Sequence, residues 1–77
     1  MAEAFILITC NKDHEDFILT NLKKIEKIQN LNKINGPYSI IIKMKGETHD
    51  EIKEIITSEI KTIDKICHTL TLKVKII

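Results

Sequence analysis

The polar residues that could hold a small molecule lie in two places along the chain. Gly36, Tyr38 and Ser39 stand close together around a proline, and Thr69 and Thr71 alternate within the segment CHTLTLKVKII. A turn of the first kind leaves backbone N–H groups unpaired, and these groups with a neighbouring hydroxyl can hold a carboxylate. A rigid hairpin turn followed by a core tyrosine explains the same residues more simply. The two threonines fit strand positions at an interface equally well.

Two histidines occupy similar places, since His14 and His49 each fall among acidic residues where a helix is predicted to begin. A metal site can be imagined there, but no spacing of several ligands fixes a coordination geometry. Exposed residues at capped helix starts are the better interpretation. We therefore predict no metal site and no cofactor.

The cysteines give no sign of catalysis or of a disulfide framework. Cys10 and Cys67 are too few for a framework and fit buried, reduced thiols in a cytoplasmic protein. A metal carrier would need two cysteines near the first loop, where Cys10 stands alone. Cys67 and His68 are neighbours in a predicted strand, so their side chains point to opposite faces. His68 itself is predicted to be a partly buried structural residue. With no pairing of a nucleophile and a base, the sequence does not indicate an enzyme.

Composition narrows the classes of protein to which the chain could belong. The 77 residues carry a net charge of +1, with no arginine and few aromatic residues, which argues against direct nucleic-acid binding. No apolar run approaches the roughly 20 residues of a membrane span, and the start reads as a buried strand rather than a signal peptide. A core of this size is marginal by itself, although 43% of the residues are hydrophobic. Oligomerisation would supply the missing burial.

Hydrophobic periodicity predicts six elements in one domain that covers residues 1–77. Continuous or alternating apolar residues indicate strands, and apolar residues at helical spacing indicate helices. Asp13 is the expected N-cap of the first helix, and Thr48 with Glu51 forms a capping box for the second. The predicted elements are strand 4–9, helix 13–29, strand 31–35, strand 38–45, helix 48–62 and strand 65–76. This βαββαβ order predicts an α+β, ferredoxin-like sandwich: a four-stranded antiparallel sheet with both helices on one face.

The two faces of that sheet differ in polarity. In the third and fourth strands the even-numbered residues are apolar and are expected to face the helices. The other face is expected to carry Ser39, Ile41, Lys43, Thr69, Thr71 and Lys73, with Phe5 and Leu7 from the first strand. A first strand that is apolar on both sides predicts a second chain over the open face, as a dimer with sheet facing sheet. A strand that is apolar only because it is central is the alternative.

Over nearly its whole length the chain resembles the effector domain of the Lrp/AsnC transcription regulators, known as the RAM domain. The resemblance rests on the element order and on the segments AFILITC, INGPYSIIIKM and CHTLTLKVKII. Gly36, Tyr38 and Ile40 fit the family's glycine-aromatic-strand motif. Ser39 stands where the family usually has aspartate, and Pro37 stands where a polar residue is common.

The resemblance implies a binding and assembly module without catalysis. Members of this family form dimers through their sheets and rings of dimers, commonly octamers, and bind amino acids between the dimers. Carried over to this chain, that implies Gly36, Tyr38, Ser39, Thr69 and Thr71 as the ligand-binding residues. A hydroxyl at Ser39 cannot neutralise a ligand ammonium as a carboxylate would. The family's N-terminal helix-turn-helix has no counterpart in the sequence, so the domain is expected to modulate transcription or another protein: it would assemble with full-length Lrp/AsnC regulators or act as a small-molecule sensor for another protein.

Two other functions stay open at this point. The chain could be a structural assembly partner that binds no ligand. It could also be an ACT-type amino-acid regulatory domain or a small ferredoxin-like enzyme, because these share the order of elements.

Overall fold

A computed structural model describes residues 2–74 of the chain. In chain order the elements are β1 (Ala2–Cys10), a 3₁₀ turn (Lys12–His14), α1 (Glu15–Leu22), β2 (Ile28–Lys33), β3 (Ile40–Gly46), α2 (His49–Ile55) with a π-helical turn (Ile56–Ile60), and β4 (Ile66–Lys73). All strand pairs are antiparallel, and the strands lie in the order β2-β3-β1-β4. The predicted βαββαβ order and the ferredoxin-like α+β fold are confirmed.

The core lies between one face of the sheet and the two helices. Apolar residues at alternate positions of β1 and β3 meet apolar residues at helical spacing from α1, α2 and the π-helical turn. The fully buried large side chains are Ile6, Ile8, Ile18, Leu22, Ile40, Ile42, Met44, Ile52 and Ile60. Burial of one such side chain contributes about 1.5–3 kcal/mol. The prediction that the even-numbered residues of β3 face the helices is confirmed.

The first helix is shorter than its sequence pattern predicts. Apolar residues continue at helical spacing to Ile28, but α1 ends at Leu22 and a tight turn follows, in which the Ile25 N–H donates to the Leu22 carbonyl at 3.0 Å. Ile25 fills the core from this turn, and Ile28 pairs with Met44 as the first residue of β2. The predicted helix to residue 29 was therefore wrong. Ile25 and Ile28 are apolar because the turn and β2 bury them, and their spacing only happens to match that of a helix.

Side chains cap the 3₁₀ turn that precedes α1 and the start of α2, although the first of these caps differs from the prediction. Asn11, not Asp13, caps the first helical turn, and its Oδ1 accepts from the Asp13 N–H at 3.2 Å. The Thr48 hydroxyl accepts from the Glu51 N–H at 3.1 Å, as the capping box requires at this end of α2. After α2, the Lys61 N–H donates to the Ile56 carbonyl at 2.8 Å, which widens the last turn while Ile56 and Ile60 stay buried.

The Thr48 cap gives the first prediction. Thr48→Ala should lower the free energy of unfolding by about 1 kcal/mol, because the Glu51 N–H loses its acceptor. Thr48→Ser keeps the hydroxyl and should stay within about 0.5 kcal/mol of the wild type. Urea unfolding followed by circular dichroism measures both. Equal losses in the two variants would show that the hydroxyl does not stabilise α2.

Candidate functional site

The turn before β3 holds the glycine that sequence analysis singled out. Gly36 has a φ of +137°, a conformation that L-residues with side chains rarely adopt, and no atom lies within 4 Å of the place where a Cβ would stand. The turn therefore requires glycine because of its backbone conformation, and not because a side chain would collide with a neighbouring atom. Within residues 2–74, the N–H groups of Asn35, Gly36 and Tyr38 donate no hydrogen bond to another backbone group. The turn presents these donors at the surface, and Tyr38 beside them is half-buried.

Ser39 ties this turn to the end of β1. Its Oγ donates to the Cys10 carbonyl at 3.2 Å and accepts from the Cys10 N–H at 3.5 Å. Its backbone N–H donates to the Ile8 carbonyl at 2.8 Å. The hydroxyl thus provides hydrogen-bond partners for the backbone N–H and carbonyl at the end of β1, where the pairing between β1 and β4 shifts register. Burial is the main cause that raises the pKa of the neighbouring Cys10 thiol, which makes Cys10 a poor nucleophile at neutral pH.

The two threonines of β4 lie on the helix side of the sheet. Thr69 pairs with Ile8 and Thr71 pairs with Ile6, and both isoleucines are buried under the helices. Directly paired residues of neighbouring strands share a face. The prediction that Thr69, Thr71 and Lys73 lie on the open face was therefore wrong. The parts of this prediction that concern Ile41, Lys43, Phe5 and Leu7 are confirmed, because Ile41 pairs with Leu7 and Lys43 pairs with Phe5.

Leucines of β4 occupy the open face in place of the threonines. Leu70 pairs with Leu7 and Leu72 pairs with Phe5, and the two leucines are 39% and 47% exposed. With Ile41 of β3 they form a continuous apolar surface across three strands, which we call the open-face patch. Its residues are Phe5, Leu7, Ile41, Leu70 and Leu72. A strip of this kind on a small domain is typical of an interaction surface.

His68 and Cys67 also differ from their predictions, because both are exposed and not buried. At the edge of the sheet, β4 has a neighbour only in β1, so burial is weaker there than the apolar alternation of the strand suggests. Within residues 2–74, no group of three or more His, Cys, Asp or Glu side chains could hold a metal ion. None of the helices in that range has the length and apolar character needed to cross a bilayer.

The five residues predicted to bind a ligand form two groups in one protomer. Gly36, Tyr38 and Ser39 lie at the β3 side of β1, whereas Thr69 and Thr71 lie in β4 on the other side. Two strand spacings amount to roughly 10 Å. Within one protomer, then, the turn and the threonines do not form a common pocket.

A cavity that sequence analysis missed lies between α2 and β4, and we call it the α2–β4 cleft. Its volume is about 240 Å³, and Ala4, Ile52 and Ile56 form its apolar floor. Its polar lining consists of His49, Lys53, Thr57, Lys61, Thr71 and Lys73. Four of these residues recur at intervals of four, which places them along one side of α2 and its π-helical turn: His49, Lys53, Thr57 and Lys61. This spacing was a visible signal, but a stripe of polar residues on a helix is usually only its solvated face.

His49 brings an unsatisfied group to the wall of this cleft. Its Nε2 atom is buried and finds no hydrogen-bond partner within residues 2–74. An unpaired buried polar atom costs about 1–3 kcal/mol. Such atoms are rare in folded proteins and call for an explanation.

The fold, the positive-φ glycine turn and the open-face patch together define a small α+β domain of the ferredoxin-like type with an exposed apolar sheet face. Residues 3–74 match the family model of the Lrp/AsnC ligand binding domain, and the chain belongs to this family. The match decides against the ACT alternative. A search of curated proteins gave no match.

Solved structures share this fold. Escherichia coli AsnC is 28% identical with a TM-score of 0.89, and the alignment covers 95% of this chain but 50% of AsnC. The hypothetical protein PHS023 from Pyrococcus horikoshii is 24% identical with a TM-score of 0.89, covering 99% of this chain and 92% of that protein. The transcriptional regulator NMB0573 from Neisseria meningitidis, in complex with L-methionine, is 10% identical with a TM-score of 0.87. The alignment covers 97% of this chain and 50% of that regulator. The chain thus spans about half the length of AsnC and of the Neisseria regulator.

The two hydrogen bonds of Ser39 give the second prediction. Ser39→Ala should lower the free energy of unfolding by about 1–2 kcal/mol, because the part-buried N–H and carbonyl of Cys10 both lose a partner. Ser58→Ala is the matched control, since its hydroxyl only donates to the Glu54 carbonyl on an exposed helix face. Urea unfolding of the two variants makes the comparison. A loss at Ser39 no larger than at Ser58 would show that the hydroxyl does not hold the end of β1.

Proposed function

We propose that this chain is a non-catalytic assembly module that binds an amino-acid-like effector between copies of itself. The observation that carries the proposal is the open-face patch, which leaves Leu70 and Leu72 exposed beside Phe5 and Leu7. A core this small gains much from covering such a surface, and a second copy offers the same surface in return. The proposed dimer therefore joins sheet to sheet, and an octamer, a ring of four such dimers, is the larger assembly that we propose by analogy with the family.

Assembly would also complete the proposed ligand site. The turn at Gly36 offers unpaired N–H donors, and Tyr38 lies beside them, while Thr69 and Thr71 belong to the opposite side of β1. A turn from one dimer and a β4 strand from another could together bind one ligand. The backbone donors suit the carboxylate of an amino acid. The L-methionine complex of the Neisseria regulator supports this class of effector.

Ser39 alters how such an effector would be held. The hydroxyl already bonds to both backbone groups of Cys10, and no carboxylate stands at this position. The ammonium group of an amino acid would lack the charged partner that aspartate supplies in other members of the family. This favours a second candidate function, in which the chain assembles with full-length Lrp/AsnC regulators and binds no ligand itself. Either role fits the cytoplasm, where the two free thiols would stay reduced.

The dimer gives the third prediction. Leu70→Lys should raise the Kd of the dimer by at least about a hundredfold, because the interface would have to bury a charge opposite its symmetry mate. Phe17→Lys is the matched control, since Phe17 is 50% exposed but belongs to α1 on the other side of the sheet. Multi-angle light scattering over a range of concentrations gives the mass of each variant. A wild-type protein that is monomeric at micromolar concentration would contradict the proposal, as would equal dissociation of the Phe17 variant.

The effector gives the fourth prediction. One or a few of the twenty amino acids should raise the melting temperature, and a ligand at 100 times its Kd stabilises by about 2.7 kcal/mol. In a domain of this size that is a rise of about 10 °C or more. Gly36→Val should abolish the rise, because the φ of +137° cannot persist with a β-branched residue.

A control separates lost binding from lost stability. Thr48→Ala also lowers stability, but at the start of α2, and it should keep the full rise with the same amino acid. If no amino acid changes the melting temperature while light scattering shows a stable oligomer, the ligand-free assembly role replaces the effector role.

A further inference from the structure

We propose that the α2–β4 cleft of each protomer is a binding site for a small anion that carries a phosphate group. This site is built within one chain and does not depend on the assembly proposed above. It also differs in chemistry from the proposed effector site. An amino acid brings an ammonium group, which the lysines of the cleft would repel.

The charge of the cleft is the first argument. Lys53, Lys61 and Lys73 line it, and no acidic residue does. Ion pairs among the described residues involve other lysines, namely Lys27 with Glu51, Lys33 with Asp16 and Lys45 with Glu3. The chain as a whole has 12 lysines against 11 acidic residues, so three uncompensated lysines around one cavity form a local excess. Lysines around a concave surface concentrate a positive field there.

The arrangement of α2 keeps acidic groups away from this side. His49 and Lys53 lie four residues apart in α2, so they share one side of the helix. Asp50 and Glu54 follow each of them by one residue, which is about 100° around the helix axis. The acids therefore flank the cleft without lining it.

Uncharged donors on both walls complete the site. Thr57 and Thr71 line the cleft from the π-helical turn and from β4, and neither hydroxyl makes a hydrogen bond to another residue within 2–74. The buried Nε2 atom of His49 is a third group without a partner. In the tautomer that carries its hydrogen on Nε2, this group is a donor that needs an acceptor. Phosphate oxygens accept several hydrogen bonds at once and would satisfy all three groups.

Size and charge together select the class of ligand. The volume of about 240 Å³ lies just below the about 300–1,000 Å³ of pockets for drug-sized molecules, so the ligand is small. A phosphate monoester carries a charge of about −1.5 to −2 at pH 7 and balances three lysines better than one carboxylate does. The apolar floor formed by Ala4, Ile52 and Ile56 leaves room for a short carbon substituent.

Isothermal titration calorimetry with inorganic phosphate at pH 7 and constant ionic strength tests this site. The wild-type chain should bind phosphate saturably with one site per protomer. Lys53→Gln with Lys73→Gln should weaken binding by at least about tenfold, because two charge-assisted contacts are lost. Thr57→Val should weaken binding by about threefold to tenfold without changing the net charge.

A matched control removes the same charge elsewhere. Lys23→Gln with Lys24→Gln alters two exposed lysines after α1, and it should change the affinity less than about twofold. Absence of saturable binding, or an equal loss in this control, would overturn the proposal. Succinate bound as tightly as phosphate would also overturn it, since the cleft would then be a site for any dianion.

A second titration identifies the source of the phosphate. Tighter binding of glycerol 3-phosphate than of inorganic phosphate assigns the cleft to a small phosphate ester, and the reverse order assigns it to the free ion. Thr71 is left unchanged in these variants because it also belongs to the proposed effector site. The amino-acid response should persist in the Lys53 and Lys73 double variant, so each proposal can fail without the other.

Discussion

The central constraint on this molecule is that β1 carries apolar side chains on both of its faces. Ile6 and Ile8 point toward the helices and are fully buried, whereas Phe5 and Leu7 point the other way and are only half-buried. Two short helices cover one face of a four-stranded sheet, and residues 2–74 contain no element that covers the other face. The register with β3 and β4 then extends the uncovered apolar strip to Ile41, Leu70 and Leu72. The proposed assembly, and the ligand site proposed between protomers, depend on how this strip is covered.

Sequence patterns predicted the elements of the fold well but misplaced the faces of one strand. The order of strands and helices follows from periodicity and from turn chemistry, both of which are local. The face of β4 is not local, because it depends on whether Leu70 or Thr71 stands opposite Leu7. The apolar alternation of β4 suggested a core-facing side, but those leucines continue the patch on the opposite face. The same limit explains α1, where Ile25 and Ile28 are buried by the turn and by β2 instead of a longer helix.

The site residues show the same division between local and tertiary information. Gly36 was identifiable because a positive φ in a turn selects glycine. The role of Ser39 was not, since its hydroxyl bonds to Cys10, which lies 29 residues earlier in the chain. The lysines of the α2–β4 cleft were visible as a stripe on one helix, but Lys73 joins them only through the pairing of β4 with β1. Polar residues along one helix form a pocket only when another element, here β4, packs opposite them.

The two proposed sites would act on assembly in different ways. A ligand shifts an equilibrium only by the difference between its affinities for the two states. A site completed by two dimers exists only in the assembled state, so an effector bound there must favour assembly. The α2–β4 cleft exists in every protomer, and an anion bound there stabilises the fold equally in all states unless assembly moves α2 against β4. The edge strand β4 carries Leu70 and Leu72 on one face and Thr71 and Lys73 on the other. Covering the patch therefore acts on the same strand that forms one wall of the cleft, and this shared strand is the physical route by which the two sites could be coupled.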